Sequence, residues 1–423
     1  MIKLIDTYAP PMRNQPQHHR LTSAIAVISA GISTCSIADA ATLNSQLATS
    51  TNLGLIGMST ERWGHGPSTA SLIKGEISSA ISLTSIYDSN FLLDEHHPSD
   101  EFTTMLSPKI HYGSDPEGGA PITIAADYEA NVRFHSENSD LDGVNHGGGF
   151  MAKIKGSKST ITTEARYHST SATDSLTGTF VTTGLTSLRL LGFYQVAPKT
   201  SLYAGLSHDA STYDAPGFVA YQTMNAQTGF FWSADERFSM GPSFNYSTMR
   251  SDGTESHDIG TVSIQSRYKL AETVQILASI GRNQANTEEE FNGHRYGLTG
   301  HLAAYCQINP LWTWESAIQH VTTPSATQTN YLVKDLSLTT SIIRNFTAST
   351  ASLGVLVELQ GYEHLANVTN TLVDDSRSEI IIGYQKRILN GRSEIKSNAR
   401  YALNRGNSRW EQLQLMAEIS IIF

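Results

Sequence analysis

The last segment of the chain alternates between apolar and polar residues. From 413 onward the odd positions are mostly apolar and include Leu413, Ile419 and Phe423, whereas the even positions include Gln414 and Glu418. In a β-strand a period of two places the two sets on opposite faces. The apolar face runs for about ten residues, the length that a tilted strand needs to cross a bilayer. This segment therefore predicts a strand with one face toward lipid.

Similar alternating segments, separated by turn residues, fill the chain from residue 77 to its end. The predicted strands are 77–88, 102–113, 121–134, 147–156, 159–169, 184–197, 200–210, 219–233, 238–250, 258–270, 273–284, 295–308, 311–322, 331–344, 349–362, 378–388, 393–404 and 410–423. The pattern predicts an all-β protein, a single transmembrane up-and-down antiparallel β-barrel of about 18 strands. The connections alternate between short and long, which indicates short periplasmic turns, longer external loops and both termini in the periplasm.

The polar faces of these strands carry charges of both signs. A soluble barrel has a dry interior, so long strands with charged faces favour a water-filled lumen with lipid outside. Charges that line a wide pore set its selectivity through field and size. The alternative is that they pair across strands and merely fill the lumen. The predicted pore-lining residues are Asp127, Glu129, Arg133, Lys153, Glu164, Arg166, Arg189, Arg267, Lys269, Glu315, Glu358, Glu394, Lys396, Arg400 and Glu418.

Large aromatic residues lie close to the predicted short turns. Trp312 and Trp314 follow one such turn, and Trp232 precedes another. Amphipathic rings prefer the headgroup level of a bilayer, so these residues are expected at a membrane interface. The alternative is that they are ordinary core aromatics.

The start of the chain predicts export. Residues 21–37 form an uncharged apolar stretch, preceded by Arg13 and Arg20 and followed by a small-x-small pattern that ends at Ala40. We expect residues 1–40 to be a signal peptide, with Met12 as the more ordinary start. Residues 41–74 do not alternate and are interpreted as a periplasmic leader or a small plug. Residues 75–423 are then the outer-membrane β-barrel.

Charge and cysteine content exclude several classes of protein. The formal net charge of −10 argues against nucleic acid as a partner. Only two cysteines are present, so no disulfide framework and no cysteine-based metal site are expected. Beyond the signal, no apolar run is long enough for a transmembrane helix.

Two short motifs invite a catalytic or metal interpretation. Ser256-His257-Asp258 contains the residue types of a triad, but adjacent side chains point in different directions and cannot form a relay. His96 and His97 lie beside Asp94 and could bind a divalent metal, yet the same residues suit a solvated external loop. We therefore expect no enzyme activity, no cofactor and no metal site.

Several short motifs resemble those of β-barrel porins of the porin-2 or OmpL-like family. They are Tyr87-Asp88-Ser89-Asn90, Ser99-Asp100, Ser107-Pro108 and the segment 194–202. The terminal Phe423 resembles the closing residue that the barrel-insertion machinery reads in bacterial outer-membrane proteins. The resemblance implies an outer-membrane barrel of transport function without catalytic residues. Relatives in that family are associated with exopolysaccharide export.

The first functional hypothesis is an outer-membrane channel for passive passage of small hydrophilic solutes, since eighteen strands enclose an aqueous lumen. The alternatives are a conduit for polysaccharide export and a structural or adhesive surface barrel with a blocked lumen. The expected partners are outer-membrane lipid and lipopolysaccharide, the barrel-insertion machinery, and the solutes or polysaccharide. Whether the barrel forms a homo-oligomer stays open.

Overall fold

The computed structural model describes residues 76–423 apart from 115–120, 174–178, 216–217, 219, 252–255, 288–294, 325–330, 365–374 and 407–408. The predicted signal peptide and leader lie outside the described residues.

The described part of the chain forms eighteen strands and two short 3₁₀ turns, Ser139–Leu141 and Leu389–Gly391. The strands are β1 Glu76–Asp88, β2 Glu101–Gly113, β3 Ile122–His135, β4 Gly143–Lys155, β5 Ser159–Thr173, β6 Phe180–Ala197, β7 Thr200–Tyr213, β8 Tyr221–Ser233, β9 Phe238–Ser251, β10 His257–Ala271, β11 Val274–Thr287, β12 Arg295–Asn309, β13 Trp312–Pro324, β14 Tyr331–Asn345, β15 Ser349–His364, β16 Asp375–Ile388, β17 Ser393–Arg405 and β18 Trp410–Ile422.

Every strand pairs antiparallel with its sequence neighbours, and the sheet closes on itself. The closing seam joins β1 to β18, with Ala80 opposite Ile422 and Asp88 opposite Gln414. Closure satisfies the backbone donors and acceptors of both terminal strands, so no edge remains exposed. The predicted single antiparallel barrel of 18 strands is confirmed.

The two faces of the barrel wall have opposite polarity. In β18 Leu413, Leu415 and Ile419 are 37%, 45% and 45% exposed on the outside, whereas Gln412 and Ser420 on the inner face are only 6% exposed. Other strands repeat this arrangement, with exposed Ile, Leu, Phe and Tyr side chains outside. An apolar exterior around a polar interior is the polarity of a barrel that spans a membrane. In the described residues, no helix is long and apolar enough to cross a membrane.

Connections at the two ends of the barrel differ in length. At one end, called here the short-turn end, connections such as 198–199, 272–273 and 310–311 are two residues long. At the other, the long-loop end, the connections include 89–100 and 365–374. The eight-residue connection 114–121 is an exception at the short-turn end. β1 begins and β18 ends at the short-turn end.

Several strands extend further toward the long-loop end than the sequence pattern predicts. β4 begins at Gly143 rather than 147, β6 at Phe180 rather than 184, and β16 at Asp375 rather than 378. β5 ends at Thr173 rather than 169. These extensions are mostly polar, with Val144, Phe180 and Val181 as exceptions. Backbone pairing sustains them because ladder hydrogen bonds do not depend on side-chain hydropathy.

Candidate functional site: the inner wall of the barrel

All fifteen sequence-predicted pore residues occupy inner-face positions of the barrel. In β3, for example, Asp127 and Glu129 alternate with Tyr128, which is exposed on the outside. The strand registers pair inner-face residues with inner-face residues of the next strand, as for Glu164 opposite Arg189. The structure therefore brings these residues to one polar surface. That they line an open, conducting pore stays a prediction.

A continuous group of charged side chains crosses the inner wall from β14 to β1 near the long-loop end. We call this group the charged belt, and it consists of Asp335, Glu358, Arg377, Glu379, Arg400 and Asp88. Its centre is Glu379, which is 1% exposed. Arg400 donates from Nε to Glu379 Oε2 at 3.0 Å and from Nη2 to Oε1 at 2.7 Å, and Arg377 also pairs with this carboxylate. Two guanidinium groups thus compensate one buried carboxylate.

The charged belt continues across the seam of the barrel. Arg400 Nη1 donates to Gln414 Oε1 at 2.9 Å, and Gln414 Nε2 donates to Asp88 Oδ2 at 2.7 Å. Gln412 Nε2 donates to the same Asp88 oxygen at 2.8 Å. The first and last strands are therefore joined by side chains as well as by the backbone ladder. This network stabilises the closed form of the barrel.

A second cluster lies on the inner wall closer to the short-turn end. Lys396 Nζ is 3.3 Å from Glu394 Oε2 and 3.2 Å from Glu418 Oε1. Arg387 approaches Glu394 at 3.7 Å between Nε and Oε1. The structure thus brings together three sequence-predicted residues, Glu394, Lys396 and Glu418.

Further ion pairs line the wall from β2 to β7. Lys109 pairs with Glu129 at 3.5 Å, and Arg166 pairs with Glu164 at 2.7 Å. Arg189 Nη2 lies 3.9 Å from an Asp209 oxygen. Throughout the described residues, each ion pair joins groups on the same strand or on neighbouring strands. Among the described residues, these paired charges compensate one another along the wall, and no pair bridges the lumen.

The wall from β7 to β10 differs, because it carries cations without acidic partners. Within the described residues neither Arg267 nor Lys269 forms an ion pair. The Arg267 guanidinium lies 5.9 Å from the centroid of Phe231, whose ring contacts Tyr203 at 5.9 Å between centroids. Gln265 Nε2 donates to Tyr203 Oη at 2.7 Å. This region presents a net positive, partly aromatic surface to the lumen.

A glycine makes room for the aromatic side chain in this region. A Cβ atom on Gly229 would lie 2.5 Å from Tyr203 Oη and 2.7 Å from the carbonyl oxygen of Pro242. Side chains cannot approach that closely, so the position accepts only glycine while Tyr203 keeps its place. Glycine inside a strand commonly marks such a close approach.

The loop between β1 and β2 packs onto the inner face at the long-loop end. Phe91 is 9% exposed, and its ring lies 5.2 Å from His135 and 5.5 Å from Phe180 between centroids. Asn90 Nδ2 donates to the Glu411 carbonyl at 3.0 Å, which ties the same loop to β18. Because Phe91 contacts the inner-face residue His135, this loop folds back onto the inner wall at the mouth of the barrel.

The motif around Asp94 is organised by its own loop. Asp94 Oδ1 accepts hydrogen bonds from the backbone N–H of His96 at 2.7 Å and of His97 at 3.0 Å. These two N–H donors lower the pKa of the Asp94 carboxyl below its ordinary value. In the part of the chain that the structure describes, no group of three His, Cys, Asp or Glu residues is placed to hold a metal ion.

The second motif of the sequence analysis lies at the start of β10. Residues 257 and 258 belong to the strand, and Asp258 occupies an outer-face position. The His257 side chain lies outside the described residues. Asp258 contacts the hydroxyl of Tyr246 on the neighbouring strand.

The predicted interface tryptophans lie on the outer face near the short-turn end. Trp232 is 47% exposed, and Trp314 Nε1 donates to Thr340 Oγ1 at 3.0 Å. The guanidinium of Arg344 lies 5.0 Å from the ring centroid of Trp312. Their contact with a membrane interface stays a prediction.

The last residue closes the seam through its backbone. The N–H of Phe423 donates to the Ser79 carbonyl at 2.8 Å, while the Phe423 side chain is 69% exposed. The ring therefore contributes little packing to the barrel. A role of Phe423 in barrel insertion stays a prediction.

Four residues of the charged belt were not among the predicted pore-lining residues, namely Asp88, Asp335, Arg377 and Glu379. Arg377 fell inside a predicted loop, and Asp88 was taken as the end of a strand. Glu379 and Gln385 are an even number of residues apart in the same strand, so strict alternation could have identified Glu379 as an inner-face residue. Asp335 could have been identified in the same way, since it alternates with Leu336 and Leu338.

Comparisons with known proteins show a similarity of fold for this chain. No protein-family model matches it, so the resemblance to porin-2 or OmpL-like porins is not confirmed. No curated protein matches it either. Its fold is similar to that of many solved structures, and three of them serve as examples. OpdK of Pseudomonas aeruginosa with vanillate has a TM-score of 0.45 at 12% identity, covering 82% of this chain and 99% of that one.

The second structure is OccK2 (OpdF) of Pseudomonas aeruginosa in complex with glucuronate. It has a TM-score of 0.45 at 11% identity, covering 84% of this chain and all of that one. The third is a BenF-like porin from Pseudomonas fluorescens Pf-5, with a TM-score of 0.47 at 10% identity and coverage of 84% and 100%.

Proposed function

We propose that the protein is a channel of the bacterial outer membrane through which small hydrophilic solutes pass passively. The observation that carries this proposal is the arrangement of charge on the inner wall. Ion pairs such as Lys109–Glu129 and Arg400–Glu379 run along the wall, between neighbouring strands. Charges that compensate one another in this way leave the centre of an 18-strand barrel to water.

Location and orientation follow from the same proposal. The apolar outer face requires a bilayer, and closed barrels of this kind belong to outer membranes. The short-turn end, where β1 begins and β18 ends, then faces the periplasm, and the long-loop end faces outward. Outer-membrane lipid, lipopolysaccharide and the barrel-insertion machinery are the partners of such a protein. No described feature of the inner wall favours the conduit for polysaccharide export.

Solute entry into liposomes tests the channel directly. The purified chain is reconstituted into liposomes that contain an impermeant polymer, and swelling is followed by light scattering after addition of sugars of increasing size. We expect swelling rates that fall with solute size and reach zero above a cut-off. Liposomes that contain folded barrel but swell no faster than empty liposomes would contradict the proposal.

A second candidate is a structural surface barrel with a blocked lumen. Phe91 supports it, because this buried side chain holds the β1–β2 loop against His135 at the mouth. The two candidates differ in one variant. Replacement of Phe91 by Gly should raise solute entry modestly in a channel that is already open, whereas in a blocked barrel it should create entry that the parent lacks.

A further inference from the structure

A concave groove crosses the outer wall of the barrel from β5 to β12. Its volume is about 1040 Å³, at the upper end of the range for ligand pockets in proteins. Its floor is formed by small residues, among them Gly192, Ala204, Ala226 and Gly260, and its sides by large ones such as Leu206 and Tyr246. The wall of a barrel is ordinarily convex, so a depression of this size is a distinct feature.

The two glycines of the floor are not required by the packing of the protein. A Cβ atom on Gly260 would meet nothing within 4 Å, and one on Gly192 would meet only a carbonyl oxygen at 3.8 Å. Some glycines of the inner face differ, since a Cβ on Gly281 would lie 2.5 Å from a backbone oxygen, whereas Gly354 has as much room as Gly192. Glycine weakens a strand, and a glycine inside a strand often marks a place where another group approaches the backbone.

One end of the groove carries a positive charge. Arg282 is an exposed outer-face residue of β11, and its guanidinium lies 4.3 Å from the ring centroid of Tyr296. Both residues line the groove. In the described part of the chain no carboxylate pairs with Arg282. The ring orients the guanidinium and leaves its N–H donors free for an anionic group.

The height of Arg282 on the wall fits a lipid headgroup. It is the first charged residue on the outer face of β11 above the apolar Ile276, Ala278 and Ile280. An arginine on the lipid face costs about 2–4 kcal/mol at the bilayer midplane and about 0–1 near an interface. The strand registers place Arg282 in the same row as Ala204 and Gly192, and Gly260 one row nearer to the long-loop end. The charge therefore lies beside the apolar floor, at the β11 end of the groove.

We propose that this groove is a binding site for an anionic, phosphate-bearing membrane lipid. The phosphate lies at Arg282, next to Gly260, and two or more acyl chains follow the groove toward β5 over Ala226, Ala204 and Gly192. A second copy of this chain fits less well, because a convex barrel wall cannot fill a concave groove. The inference requires only that the barrel spans a bilayer, and it holds whether or not the lumen conducts.

Native mass spectrometry of the full chain in detergent tests the site, because it reports bound lipid and oligomeric state together. The probes are dimyristoyl phosphatidylglycerol, which is anionic, and dimyristoyl phosphatidylcholine, which is zwitterionic and has the same chains. We expect phosphatidylglycerol to bind more tightly. Gly260→Leu should weaken both lipids at least tenfold by filling the floor. Arg282→Gln should weaken phosphatidylglycerol about tenfold and change phosphatidylcholine little.

Matched variants outside the groove serve as controls. Gly300→Leu adds the same side chain to another outer-face glycine, and Lys334→Gln removes another outer-face cation. Both should keep parental lipid binding. Equal binding by the parent and by folded Gly260→Leu would overturn the proposal. A parental oligomer that Gly260→Leu dissociates without any change in lipid binding would also overturn it, since the groove would then join copies of the chain.

Discussion

Arg400 and Glu379 form a bidentate ion pair on the inner wall, with N···O distances of 3.0 and 2.7 Å, between two neighbouring strands. The carboxylate is 1% exposed and is shared with Arg377. A buried charge is tolerated only while its partners remain, because each ion has lost its hydration. Because Arg400 also contacts Gln414, which binds Asp88 across the seam, this inner-wall ion pair also supports the closed barrel.

Glu379→Gln should destabilise the barrel by about 3–5 kcal/mol, because two guanidinium groups then lack their shared counter-charge. The free energy of unfolding, measured by urea titration of the refolded barrel, gives this value. Glu129→Gln is the control. The Glu129 and Lys109 side chains are 38% and 51% exposed, so their ion pair should contribute less than about 1 kcal/mol. Equal effects of the two substitutions would contradict the role assigned to the charged belt.

Arg267→Glu together with Lys269→Glu should shift the reversal potential toward cation preference. Neither cation has an acidic partner in the described residues, so reversal of both changes the field of the lumen directly. The measurement is the reversal potential under a salt gradient in planar bilayers. Lys334→Glu, on the outer face, should leave the potential unchanged. Unaltered selectivity in conducting double mutants would show that these residues do not line the pore.

The sequence pattern predicted the strands well where lipid contact imposes alternation, and less well above that zone. Ser171 and Thr182 lay in a predicted loop, yet they are opposite each other in the β5–β6 ladder, and their hydroxyls lie 2.8 Å apart. Hydropathy cannot assign such residues to a strand or a loop, because their polar groups form hydrogen bonds with water in a loop and with the neighbouring strand in a ladder. Alternation depends on the solvent of each face, and around Ser171 and Thr182 both faces carry polar residues.

The charged belt and its contacts across the seam could be predicted only in part from the sequence. Alternation identifies which residues point inward, as for Glu358 and Arg400. It does not give the register between strands that are distant in sequence, such as the contact of Gln412 with Asp88 across 324 positions. The outer groove is also invisible to the pattern, because Gly192 and Gly260 come together only through the registers of several strands.

Phe423→Ala should leave the stability of the refolded barrel within about 0.5 kcal/mol of the parent, because the side chain is 69% exposed. In cells the same variant should assemble more slowly, if the insertion machinery reads the terminal aromatic residue. The measurements are urea unfolding in detergent and pulse-chase of the heat-modifiable form. Ile422→Ala is the neighbouring control. Assembly of the Phe423 variant at the parental rate would contradict the signal role.

The outer-face tryptophans near the short-turn end should lie at the headgroup level of the bilayer. Single-tryptophan variants that keep Trp232 or Trp314 should be quenched more by lipids brominated close to the headgroup than by lipids brominated near the chain end. Trp410, on the inner face at the other end, is the control and should be quenched weakly by both. Strong quenching of Trp314 by the deep label would contradict the interface assignment.

Asp235 organises the β8–β9 turn, since its Oδ1 accepts the N–H groups of Arg237 at 2.8 Å and Phe238 at 2.7 Å. These bonds lower the pKa of the Asp235 carboxyl below its ordinary value. Its contribution to stability should therefore be complete above the unfolded pKa and be lost as the pH falls through the folded pKa. Comparison of acid unfolding of the parent and Asp235→Ala tests this, and parallel pH profiles would contradict it.

Single-channel current through a protein of residues 41–423 in a planar bilayer tests the central claim most directly. A channel for small hydrophilic solutes predicts stable, large, stepwise conductance that increases with salt concentration. A folded, heat-modifiable barrel that inserts and never conducts would contradict the account and would leave a structural barrel with a blocked lumen.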